Sequence, residues 1–108
     1  LKNIKAALAG TLSVIFPAGT WTLSTVASSA SSGTLIASNA NRKGLCVSNN
    51  STSILYLYMS SSTATTTTAN NVIIPPGGDY VMPAPIYTGQ INCIWSAANG
   101  SAEVTEIT

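Results

Sequence analysis

Apolar and polar positions alternate with a period of two along most of this chain, the spacing of a strand that buries one face. In residues 11–16, Leu12, Val14 and Phe16 alternate with Thr11, Ser13 and Ile15. In residues 20–26, Trp21, Leu23 and Thr25 alternate with Thr22, Ser24 and Val26. Pro17-Ala18-Gly19 separates the two runs. Proline presets a turn φ and glycine accepts a positive one, so a first hairpin is predicted there. Further strands are predicted over 34–38, 42–49, 54–59, 72–74, 80–82, 86–88, 91–96 and 102–107. Between them lie small or turn-forming residues: SSASSG at 28–33, a turn at 39–41, NNSTS at 49–53, a polar low-complexity stretch at 60–71, and PPGG at 75–78. Pro83-Ala84-Pro85 restricts the chain to extended geometry. Asn99-Gly100 is the strongest two-residue hairpin signal and is predicted to join 91–96 to 102–107.

About eight short strands at this spacing, with no sustained helical period beyond 4–8, predict an all-β fold. The expected architecture is an antiparallel β-sandwich of jelly-roll type. An N-terminal arm at 1–10 precedes a single β-sandwich domain at 11–108. The arm and the residues after it carry Lys2 and Lys5 followed by a mostly apolar run, which imitates a secretory signal. Thr11 and Ser13 interrupt the run, and it falls short of the ~20 apolar residues of a membrane span. A membrane partner is therefore not expected. Ile4 and Leu8 are the large aliphatic anchors of the arm and are expected to dock on a neighbouring protein.

Composition narrows the chemistry. Of 108 residues only 6% are charged, against roughly 25% in a typical soluble domain. Serine and threonine, 15 and 14 residues, supply the polar surface instead. Four cations are too few to displace the counterions of a nucleic acid. There is no histidine, and the carboxylates are Asp79, Glu103 and Glu106, so general acid–base catalysis and metal binding lack their groups. No enzyme activity and no cofactor are expected. Disorder is excluded as well, because 45% of the chain is hydrophobic and its net charge is +1.

Individual residues add detail. Residues 54–59 are apolar on both faces, with Leu55, Leu57 and Met59 on one and Ile54, Tyr56 and Tyr58 on the other. Such a strand is either covered on both sides or meets another subunit, and tyrosine suits interfaces. Ile54, Tyr56 and Tyr58 are thus the candidate interface of the sandwich. Glu103 and Glu106, three apart on one strand, point to opposite faces and cannot form a catalytic pair. Glu106 shares the face of Ala102 and Val104 and needs a partner, for which Arg42 is the best candidate. Cys46 and Cys93 each fall within a strand. They are read either as a cross-sheet disulfide or as two buried thiols, and the lack of a convincing export signal favours thiols. The Asn-x-Ser/Thr triplets beginning at Asn49, Asn50 and Asn99 are those expected by chance in so Asn-, Ser- and Thr-rich a chain. Trp21, Trp95, Tyr56, Tyr58, Tyr80 and Tyr87 are read as core and interface residues, with a sugar-stacking platform as the rival reading.

One set of strings resembles a family. Asn39-Ala40-Asn41-Arg42-Lys43-Gly44-Leu45, Val47-Ser48-Asn49 with Asn50-Ser51, and Ile74-Pro75-Pro76-Gly77-Gly78 before Tyr80 look like a small β-domain of tailed-phage virion proteins. Pro83-Ala84-Pro85-Ile86-Tyr87-Thr88-Gly89, Ile94-Trp95-Ser96-Ala97-Ala98 and Val104-Thr105-Glu106-Ile107 continue the pattern. The resemblance spans about residues 35–108 and rests on turn and core positions. It implies a non-enzymatic virion component and supplies no catalytic residue. The expected role is capsid cement or decoration, bound to the major capsid protein or another virion protein. A homo-oligomer is expected, with a trimer favoured, on the capsid surface after assembly in the host cytoplasm. The rival expectations are a tail, neck or fibre-associated module and a carbohydrate-binding adhesive sandwich.

Overall fold

The computed structural model describes residues 18–60 and 68–108. The predicted arm with Ile4 and Leu8, the predicted strand at 11–16 and part of the polar stretch at 60–71 lie outside the described residues. Within them the fold is all-β: β1 (Trp21–Ala27), β2 (Gly33–Ile36), β3 (Gly44–Ser51), β4 (Leu55–Tyr58), β5 (Val72–Ile74), β6 (Asp79–Val81), β7 (Ile91–Trp95) and β8 (Gly100–Ile107). They form two four-stranded antiparallel sheets, sheet A in the order β1-β8-β3-β6 and sheet B in the order β2-β7-β4-β5.

The pairing is nested. β1 pairs with β8, β2 with β7, β3 with β6 and β4 with β5, as if one long hairpin had been rolled up. Two further ladders, β3 on β8 and β4 on β7, close the roll. This is the double-sheet jelly roll. Every connection except β4–β5 carries the chain from one sheet to the other, so the loops cross at the two ends of the sandwich.

The period-two alternation decides which residues enter the core. Leu45 and Val47 of β3 with Ala102 and Val104 of β8 face Leu55 and Leu57 of β4 and Ile91, Cys93 and Trp95 of β7. Leu35, Ile74 and Met82 complete the cluster. Leu55, Leu57, Ile91, Val47, Ala102 and Val104 have no exposed surface at all. Between β5 and β6, Pro76 and Gly77 occupy the centre of a turn closed by Gly78 N donating to Pro75 O at 2.9 Å. Gly77 has φ 73°, which suits a type II turn.

Three sequence expectations are corrected. Asn99-Gly100 does not make a hairpin, because β7 and β8 belong to different sheets. Gly100 is already a ladder residue, opposite Ser51 at the end of β3. No strand forms at 86–88, where the backbone carbonyls of Tyr87 and Gly89 turn inward to accept from Arg42. The flanking Pro83 and Pro85 have no N–H to give a ladder. The strand predicted over 42–49 starts at Gly44 and runs to Ser51, which leaves Arg42 in the turn before it.

Gly100 combines a φ of 144° with a close approach: a Cβ there would stand 2.6 Å from Asn50 O and 2.7 Å from Ser51 Cα. Gly33, by contrast, has open space where a Cβ would go. Gly100→Ala is expected to cost about 1–3 kcal/mol of stability, and Gly33→Ala to be neutral or to add up to about 1 kcal/mol. Urea unfolding midpoints of the two variants check the difference.

Candidate functional site

A jelly roll that passes its chain between sheets at both ends brings loop carbonyls into the dry interior, where each needs a donor. Two side chains at the ends of β3 meet that need. Arg42, whose side chain is wholly buried, lies just before β3. Its Nε donates to Glu106 Oε2 at 2.8 Å. Its Nη1 donates to Tyr87 O and Gly89 O, both at 2.9 Å, and its Nη2 to Ala37 O at 2.7 Å. Asn39 Nδ2 donates to the other oxygen, Glu106 Oε1, at 3.1 Å. The guanidinium therefore ties the β2–β3 loop, the β6–β7 loop and the end of β8 into one polar cluster. Glu106 projects inward and Glu103 outward, where Glu103 Oε2 accepts from Thr25 Oγ1 at 2.8 Å. The Arg42–Glu106 contact expected from the sequence is thus formed, and the two glutamates serve separate faces.

At the other end of β3, Asn49 is 1% exposed. Its Nδ2 donates to Ser53 O at 2.7 Å, Ile74 O at 3.0 Å and Pro75 O at 3.1 Å, the last two sharing a turn that crosses between sheets. Its Oδ1 accepts from Ser51 Oγ at 2.7 Å and from the indole Nε1 of Trp95, in the opposite sheet, at 3.3 Å. An amide held on all sides is closed to a glycan, which removes Asn49 as an acceptor. Sequence reasoning did not find this residue as a cap. The signal was present: Leu45, Val47 and Asn49 share one inward face, and a polar group in that register needs partners.

The candidate interface residues are brought together on the outer face of sheet B. Tyr56 of β4 stands opposite Ile73 of β5 on one side and Ile94 of β7 on the other. Tyr58 at the end of β4 and Ile54, the residue just before β4, flank Tyr56 and, like it, are half-buried, while Ile73 is 60% exposed. No further layer covers this face among the described residues. One edge of the band is polar: Gln90 Nε2 donates to Thr34 Oγ1 and Asn92 Oδ1, and Asn92 Nδ2 donates to Ser60 O.

Charge is segregated between the two sheets. The strands of sheet B, with sequences GTLI, LYLY, VII and INCIW, contain no charged residue. Every charged residue among those described, Arg42, Lys43, Asp79, Glu103 and Glu106, belongs to a strand of sheet A or to the turn leading into it. The aromatic residues do not converge on one surface. Trp95 is core, Tyr80 and Tyr87 pack against the core, and Trp21 is 70% exposed on sheet A, away from Tyr56 and Tyr58 on sheet B. Among the described residues no group of three or more His, Cys, Asp or Glu could hold a metal ion, and no helix is long and apolar enough to cross a membrane.

Both cysteines are free. Cys46 lies on the outer face of sheet A, in register with Thr105 and Val81, whereas Cys93 sits in the core. Burial pushes the Cys93 thiol up from 9.0 to about 12. In the unfolded chain this thiol ionises near 9.0, so across that window the folded state holds a proton that the unfolded state has lost. Stability is therefore unaffected below pH 9 and falls as pH rises from 9.0 towards about 12. Urea titrations over the alkaline range are expected to show this fall, and Cys93→Ala to show a shallower one.

Comparisons with known protein families, with curated proteins and with solved structures find no match for this chain.

Proposed function

We propose that this protein is a non-enzymatic structural component of a virion, a cement or decoration protein held on a capsid by the outer face of sheet B. The observation that carries the reading is the uncharged band of Ile54, Tyr56, Ile73 and Ile94 on a sheet without a single ionisable acid or base from Asp, Glu, Lys or Arg. Docking such a face strips water from no ion, whereas burying an unpaired charge costs several kcal/mol. Full burial of Ile73 alone contributes about 1.5–3 kcal/mol. The tyrosine rings bring contact area with a polar tip that stays bonded at a wet rim.

The role is mechanical. A jelly roll whose ends are tied by Arg42 and Asn49 keeps its faces in fixed register, so the apolar band meets a shell subunit as a rigid surface. The major capsid protein is the partner in this reading, and repetition of weak contacts over a symmetric shell supplies avidity. The tailed-phage resemblance of residues 35–108 gives the setting.

Tyr56→Ser with Tyr58→Ser, and separately Ile73→Lys, are expected to leave a cooperatively folded domain that no longer stays on particles. Copy number per purified particle reads the outcome. A number matching the many symmetric positions of the shell supports decoration, and about a dozen or fewer copies would place the protein at the tail or neck instead. Unfolding of the variants would make these side chains core and remove the interface.

A further inference from the structure

Four edge strands bound the two sheets, and three of them are blunted. β5 and β6 have three residues each, and β6 carries Asp79. β2 has four residues and a register irregularity between Thr34 and Ile36. Short length, charge and bulges are the devices that keep an edge from pairing with another chain. β1 has none of them. It is seven residues long, in unbroken register with β8, and its sequence WTLSTVA has no charge and no proline.

The hydrogen-bond phase of β1 is fixed by its first contact. Thr20 and Thr108 exchange both N–H···O bonds at 2.9 Å. Alternation then turns the main chain of Thr22, Ser24 and Val26 towards β8 and that of Trp21, Leu23, Thr25 and Ala27 outward. Four N–H and four C=O groups thus lie along an edge that pairs with no other strand among the described residues, beside Trp21 at 70% and Leu23 at 67% exposure. Such a row matches one kind of occupant, an extended strand.

We propose that the occupant is β1 of a second copy of this chain, paired antiparallel about a two-fold axis through Ser24. In that register Trp21 lies opposite Ala27 of the second copy and Leu23 opposite Thr25 of the second copy, large against small at each pair. All four are edge-facing residues, so their N–H and C=O groups meet in bonded pairs. No charge opposes the approach: the nearest carboxylate, Glu103, lies one strand back and accepts from Thr25 Oγ1. The pairing joins two copies of sheet A into one continuous eight-stranded sheet and leaves the sheet B face of each copy free. It gives a dimer where the sequence led us to expect a trimer, and it stands apart from the capsid reading.

A single strand pair with Trp21 buries less than the ~1,000 Å² of a tight interface, so the association is expected to be reversible and in the micromolar range. Sedimentation velocity on the full chain over a dilution series is expected to show a monomer–dimer equilibrium. Leu23→Lys, on an exposed position, and Thr25→Pro, which removes an edge donor and the exposed hydroxyl bond to Glu103 but no backbone bond to β8, are both expected to shift the chain to monomer while it stays folded by circular dichroism. Amide exchange at Trp21, Leu23, Thr25 and Ala27 is expected to slow as concentration rises. A trimer, a chain that stays monomeric at all concentrations, or a dimer that survives Leu23→Lys overturns the proposal. Protection of the same four amides at concentrations where the chain is monomeric would assign the edge to the chain's own residues 11–16 and overturn it as well.

Discussion

Loop carbonyls buried where the chain crosses between sheets are the constraint on which this fold depends. A roll in which all but one of the connections change sheet cannot pair every backbone group within a ladder. One residue at each end of β3 answers this. Arg42 reaches three carbonyls from two loops while its Nε holds Glu106, and Asn49 reaches three more while its carbonyl oxygen holds Trp95 and Ser51. The choice of side chain follows from geometry. Guanidinium spreads five donors in a plane and suits loops that approach from different sides. A carboxamide donates and accepts at one point and suits the tighter end, where the β5–β6 turn, the β3–β4 link and the opposite sheet meet. β3 is flanked by β8 and β6 and is the strand from which both ends are held.

With the ends tied, the two outer faces are free to differ, and they do. Sheet A carries the charges among the described residues and one long unprotected edge. Sheet B carries no charge and an apolar band on its broad face. Among the described residues Arg42, Glu103 and Glu106 each bond to another side chain, in the pairs Arg42–Glu106 and Thr25–Glu103. Association through distinct surfaces, one an edge and one a face, is the behaviour this distribution favours.

The fold class was legible because period-two alternation is a local signal: β3, β4 and β8 bury the residues that alternation nominates. The contact of Arg42 with Glu106 was legible for a related reason, since an inward carboxylate demands a cation and few were on offer. Pairing partners were not legible. Asn99-Gly100 has hairpin chemistry, yet the ladder between β3 and β8 uses Gly100 as a strand residue, and a tertiary contact overrides a turn preference. Residues 86–88 look extended, but the carbonyl of Tyr87, with that of Gly89 just beyond, is drawn to Arg42, a long-range partner that no local window contains. The separation of charge between sheets was hidden too, because it appears only once strands far apart in the chain are sorted into two layers.

The most direct measurement is the unfolding free energy of Asn49→Leu, which keeps the volume of the side chain and removes its donor and acceptor. The change takes its acceptor from the buried indole N–H of Trp95 and one donor from the carbonyls of Ser53, Ile74 and Pro75, of which Ser53 O keeps Ser51 Oγ and Pro75 O keeps Gly78 N, at about 1–3 kcal/mol for each buried polar group left unpaired. A loss of about 2 kcal/mol or more, a substantial part of the ~5–15 kcal/mol of a typical domain, is the predicted result. A loss below about 1 kcal/mol would contradict the account, because the crossing loops would then be held by something other than the caps of β3.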